Sequence, residues 1–204
     1  SLTDADKYSE AIPILEKALT AADGSGHTVA RVKVRLSLAH ALYEAREDFL
    51  GAERQFRDAL VLVPIKNLDL KHSVLHGLGD MLLFSARLDE AKATIHAALG
   101  VAKLSGKTDD LAGSLISLSL LERALGFHDS AIAKLEEAVH LLFQQALSLP
   151  DDEKKHHAHM LAVCYINKAL LCRDAGNLDE ALALYGKVEE QHRISGDKLD
   201  AGKA

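Results

Sequence analysis

The sequence predicts an all-α fold, a solenoid of antiparallel helix pairs in about four and a half repeats. Three observations predict it. One helical signature is written five times, centred on Ala11, Ala52, Ala91, Ala131 and Ala181, at spacings of 41, 39, 40 and 50 residues. Four residues past each centre stands a bulky side chain (Leu15, Phe56, Ile95, Leu135, Tyr185), and seven past stands a small one (Ala18, Ala59, Ala98, Ala138), with Val188 the exception. A second amphipathic segment precedes each later signature, across a short turn. Offsets of four and seven return to one helical face, so each unit offers two small positions flanking a knob, which lets helices approach closely.

The elements follow in order. A half repeat over 4–22 supplies a second helix without its first. Its Pro13 costs a backbone hydrogen bond and should tilt the helix. Asp23-Gly24-Ser25-Gly26 ends it. Repeats are expected over about 28–63, 67–103, 109–147 and 153–195, with first helices near 29–45, 68–85, 109–125 and 153–175. Gly126 and Gly176 stand five residues before Ala131 and Ala181, where a left-handed helix stop belongs; Ala86 and Glu47 fill that place in other units. Pro64, Ser105-Gly106 and Ser195-Gly196 separate the pairs. The last interval is the long one. Its excess predicts an overlong helix to Leu147, a break at Pro150-Asp151-Asp152, and a cap from Asp151 or Asp152 with Glu153 on the positive helix end. Leu142, Phe143, Leu147 and Leu149 then have few neighbours; they either pack on the adjacent unit or offer a partner contact. A further helix should open at 197–204. The broken units at both ends and the missing initiator methionine point to a piece of a longer array over 1–204, with Ser1 a cloning remnant.

At 204 residues, 48% apolar and 26% charged, the chain can bury a sizeable core. Its net charge of -6 argues against nucleic acid or an anionic membrane as partner, since both need a basic surface. The longest apolar run, 60–65, contains Pro64 and falls far short of the roughly 20 residues that span a bilayer. Cys164 and Cys172 lie eight residues apart in one predicted helix, about 12 Å at the helical rise, beyond the ~7 Å reach of a disulfide. Both read as buried small hydrophobes in a reducing cytoplasm.

These residues resemble the tetratricopeptide repeat (TPR), in the longer variety of about 40 residues found in kinesin light chains. The resemblance covers nearly the whole chain. It is clearest over 167–181, where Ala169, Leu170, Arg173, Gly176, Asp179, Glu180 and Ala181 fall in family order, while Lys168 stands where leucine is usual. Leu75-His76-Gly77-Leu78-Gly79 with Leu82 matches the first-helix pattern, and Leu36, Ala39, His40 and Tyr43 match it more loosely. Ala11-Ile12-Pro13 is similar to the kinesin-light-chain second helix. His128 departs from the usual aromatic or apolar residue. The resemblance implies a right-handed superhelix whose first helices line a concave groove for a partner peptide. Carried over residue by residue, the groove would comprise Ser37, Ala41 and Glu44; Ser73, His76, Asp80 and Leu83; Ile116, Leu120 and Arg123; and Ile166, Asn167, Leu170 and Arg173. His76 and Asp80 stand where the chaperone-binding members carry lysine and asparagine, so chaperone-tail binding is not implied.

No phosphate loop, nucleophile elbow or paired-cysteine zinc site occurs. His156 and His159, three apart near Asp152 and Glu153, have zinc-compatible spacing, but a solvated first turn beside Lys154 and Lys155 accounts for them better. The remaining histidines are scattered and read mostly as surface or capping residues. Recurrent carboxylates such as Asp89-Glu90, Asp129 and Asp179-Glu180 sit at helix starts, where the helix dipole favours them. The expectation is a non-catalytic cytoplasmic scaffold without cofactor, its groove binding a peptide by apolar anchors with Arg123, Arg173 and Asn167 setting direction. The alternative is a structural or regulatory arm that self-associates or couples to a neighbouring effector domain.

Overall fold

A computed structural model describes residues 4–45, 48–150 and 154–196. Among these, nine α-helices form and no strand. The chain divides into two compact units, Ser1–Gly106 and Lys107–Ala204. The first holds α1 (Asp4–Ser25), α2 (Thr28–Glu44), α3 (Phe49–Leu62), α4 (Leu68–Phe84) and α5 (Leu88–Ser105). The second holds α6 (Thr108–Ala124), α7 (His128–Ala146), α8 (Lys154–Asp174) and α9 (Leu178–Ser195). Within each unit every helix packs on the next, and the first helices also meet, α2 beside α4 and α6 beside α8.

The repeated signature is the core of both units. Ala52, Phe56 and Ala59 on α3, Ala91, Ile95 and Ala98 on α5, and Ala131, Leu135 and Ala138 on α7 are all buried. Removing a side chain the size of Phe56 from water contributes about 1.5–3 kcal/mol. Gly77 lets α4 approach: a Cβ there would lie 2.6 Å from Cε1 of Phe56 and 2.9 Å from the His40 ring. Gly79 does the same towards α5, where a Cβ would lie 2.9 Å from Ile95.

The register differs at the two outer helices. Ala11 and Leu15 are only half-buried, Ile12 being the buried residue, and Tyr185 is 38% exposed while Leu184 takes the knob position of α9. Among the described residues α1 packs only on α2 and α9 only on α8, so one flank of each has nothing to press against. α1 runs unbroken through Pro13 and past Asp23-Gly24 to Ser25. His72 and His157 are buried rather than at the surface. Of the four apolar residues near the long interval, Leu142 is fully buried, whereas Phe143 and Leu147 are 54% and 68% exposed.

Two kinds of stop end the helices. α4, α6 and α8 close with paired backbone bonds, Ala86 N to Leu83 O and Arg87 N to Leu82 O in α4, with equivalents at Gly126 and Gly176; the residue at the turn has φ of 57°, 82° and 81°. α1, α5 and α9 end in Ser-Gly: the hydroxyls of Ser25, Ser105 and Ser195 donate back to carbonyls three residues earlier, and Gly26, Gly106 and Gly196 are left-handed. Asp48 and Asn67 cap α3 and α4 by accepting from the backbone N–H groups of Gly51 and Leu70. The expected roles of Glu47, Asp151, Asp152 and Glu153, the helix at 197–204 and the origin of Ser1 lie outside the described residues. No described helix is long and apolar enough to cross a membrane.

Candidate partner-binding faces

The residues expected to line a groove stand on the adjoining first helices of each unit. In the first unit, Ser37 and Glu44 on α2 are exposed and Ala41 is buried; on α4, Ser73, His76, Asp80 and Leu83 are half-buried. His76 Nδ1 lies 3.4 Å from Asp80 Oδ2, one turn along the same face. Ser73 donates its hydroxyl to the Asp69 carbonyl at 2.9 Å. Behind them His40 meets Phe56 edge-on at 5.2 Å, and burial pushes its imidazole below the ordinary histidine value.

In the second unit, Ile116 is buried, while Leu120, Ile166, Asn167 and Leu170 are half-buried and Arg173 is exposed. Asn167 is turned along its own helix, donating to the Val163 carbonyl at 2.9 Å. Arg123 at the end of α6 reaches Asp174 at the end of α8, Nη2 to Oδ2 at 2.6 Å and Nε to the same oxygen at 3.2 Å. Arg173 Nη2 lies 3.3 Å from the other carboxylate oxygen. The Arg123 guanidinium, with Arg173 adding to it, holds the Asp174 carboxyl below the usual aspartate range. Arg123 is thus committed within the protein, whereas Arg173, its side chain 54% exposed, keeps most of its surface for solvent or a ligand.

Three features escape the sequence reading. Asp174 is one, since its importance depends on a partner 51 residues away. The second is an aromatic cluster at the ends of α2 and α4 and the start of α3, where Tyr43, Phe49 and Phe84 have ring centroids 5.6–6.1 Å apart. Three of the chain's nine tyrosines and phenylalanines gather there, and Phe84 is 54% exposed. Each falls within one turn of a helix end, the one signal the sequence carries. The third is Asp109: His157 Nε2 lies 3.2 Å and His156 Nε2 3.6 Å from its carboxylate oxygens, so the α8 histidines face an acid of α6. Lys168, where the repeat pattern calls for leucine, extends between Glu136 of α7 at 2.7 Å and Glu180 of α9 at 3.8 Å.

No family model matches the chain, and no curated protein matches it by sequence. Solved structures do. The crystal structure of a kinesin light chain with nearly identical TPR-like repeats, from Podosopora anserina, superposes with a TM-score of 0.65 at 17% identity, covering 94% of this chain and 89% of that one. MamA superposes at 0.56 with 18% identity, covering 97% and 99%. BtubC from P. vanneervenii superposes at 0.52 with 15% identity, covering 97% and 95%. At these identities the likeness is one of fold: the chain has the all-α TPR-like fold.

Proposed function

We propose, from the TPR-like fold shared with these structures, that the chain is a non-catalytic protein-interaction module that holds partner peptides on the faces of its first helices. One observation carries the reading. In the second unit the half-buried Leu120, Ile166 and Leu170 lie on the two adjoining helices α6 and α8, and the Arg123–Asp174–Arg173 group stands within a turn of them. Partly exposed apolar side chains on a rigid two-helix face, with one charged group at hand, are what a peptide anchor and its orientation require. In the first unit the same role falls to Leu83, the His76–Asp80 pair and the exposed Phe84. A net charge of -6 turns the module towards protein rather than nucleic acid or anionic lipid, and a cytoplasmic setting agrees with two free, buried cysteines.

The test is a phage-displayed library of random peptides selected on the intact chain. Selected peptides should bind the wild type and lose about tenfold or more in affinity to Leu170→Asp, and less to Arg173→Glu. Peptides that bind Leu170→Asp and a Phe84→Ser variant as tightly as the wild type would refute the first-helix faces as the binding surface.

A further inference from the structure

We infer that the groove floored by α8 between α7 and α9 is a separate docking site, which takes an amphipathic helix of a protein partner and sets an acidic residue of that helix against Lys187. It lies on the side of α8 that faces the second helices, not on the first-helix face described above.

The groove holds two adjoining cavities of about 400 and 290 Å³ that share Phe143, Tyr165 and Lys187. Along its floor α8 presents Lys154, His157, Leu161, Tyr165 and Lys168. Those fourteen residues of helix extend about 21 Å. A trough of that length, walled on both sides by helices, fits a helix of three to four turns lying on α8.

The walls carry the apolar surface such a helix would cover. Leu147 is 68% exposed, Phe143 54% and Ile194 45%. These are large side chains left in water beside a cavity, and they converge because α7 has 19 residues where α3 has 14, so that its last turn projects alongside α9. In the first unit the corresponding space is filled. There Leu60 packs into the cluster of Leu75, Ala98 and Val101, and salt bridges from Arg87 to Glu53 at 2.6 Å and from Arg57 to Glu90 at 3.0 Å tie α3 to α5. In the second unit Lys168 makes the only comparable tie among the described residues, between Glu136 and Glu180 at one end of the groove.

Charge selects the occupant. The Lys187 ammonium lies 5.3 Å from the centre of the Tyr165 ring, over the cavity, with no carboxylate in ion-pair range among the described residues. Lys154 stands at the other end of the floor, and Glu190 is the one acid lining the larger cavity. His157, buried to 4% exposure, adds a polar floor whose Nδ1 has no hydrogen-bond partner among the described residues, its Nε2 being turned to Asp109. An apolar stripe flanked by a carboxylate meets the walls and Lys187 together; a basic helix would place like charges over Lys187 and Lys154.

A phage-displayed library of four-turn amphipathic helices, apolar positions fixed and the rest randomised, selected on the intact chain, tests this. Enriched helices should carry Asp or Glu beside the apolar stripe. Their affinity should fall about tenfold or more on Leu147→Arg and Phe143→Ser, fall on Lys187→Glu, and return there when the helix's acid becomes lysine, while Leu170→Asp leaves it unchanged. All three substituted side chains are exposed, and unchanged circular dichroism and melting verify that the variants fold. The proposal is overturned if no helix is recovered, if recovered helices bind Leu147→Arg as well as wild type, or if they depend on Leu170. It is equally overturned if binding emerges only after deletion of 197–204, which makes the chain's own end the occupant, or if light scattering shows a dimer that Leu147→Arg dissolves, which makes it a second copy.

Discussion

Nη2 of Arg123 lies 2.6 Å from Oδ2 of Asp174, joining the last turn of α6 to the last turn of α8 in the second unit. The guanidinium favours the charged carboxylate, so the folded protein holds Asp174 deprotonated to lower pH than the unfolded chain does. A depressed acid contributes stability that is complete above the ordinary aspartate value and is lost as pH falls through the folded-state value. Carboxyl-detected NMR should therefore show Asp174 titrating below the usual aspartate range in the wild type and moving up towards it in Arg123→Gln. An unmoved midpoint would mean that the pair does not persist in solution.

Ala86 occupies a left-handed turn at φ 57°, the place that glycine fills at 126 and 176. A Cβ in that region costs about 1–2 kcal/mol, offset in part by the greater freedom of glycine in the unfolded chain. Ala86→Gly should raise the urea midpoint, by up to about 1 kcal/mol in unfolding free energy, while Gly126→Ala and Gly176→Ala lower it.

Two glycines on helices should respond oppositely to the same substitution. At Gly77 an added methyl meets the Phe56 and His40 rings at under 3 Å, whereas at Gly100 it meets nothing within 4 Å. Gly77→Ala should cost about 1–3 kcal/mol by overpacking. Gly100→Ala should stabilise by about 0.5–1 kcal/mol through helix propensity. Denaturant titration of the two variants side by side decides it.

Burial holds the His40 imidazole below its ordinary value, with His76 adding to the effect and Asp80 opposing it. The unfolded chain then binds more protons at this site than the folded one, so stability falls as pH drops through the ordinary histidine range and levels off below the folded value. Between about pH 7.5 and 5.5 the urea midpoint should drop more in the wild type than in His40→Gln. Equal drops would place the linkage elsewhere.

The helix pairs were legible because their signal is local and repeated. An alanine register five times over, with Gly126 and Gly176 at fixed offsets, leaves few ways to bury the apolar faces. The same logic misplaced Tyr185, because the repeat pattern assumes a neighbour on both flanks and α9 packs on α8 alone among the described residues. Contacts between residues far apart in sequence were not legible. Nothing in the order of residues ties Arg123 to Asp174 or Asp109 to His157, since those pairs depend on how far apart first helices settle. Phe143 and Leu147 lie between these cases: their excess over the repeat was visible, but the space beside them follows from the separation of α7 and α9.

Both thiols of the chain sit on α8, and the first unit has none. Cys164 is wholly enclosed, and burial pushes its thiol up to about 12; burial raises that of Cys172 as well. Since alkylating reagents attack the thiolate, neither sulfur reacts appreciably at neutral pH until α8 leaves its packing. Maleimide uptake is thus a native stopwatch for opening of the second unit alone, read without any engineered label while the first unit stays chemically silent.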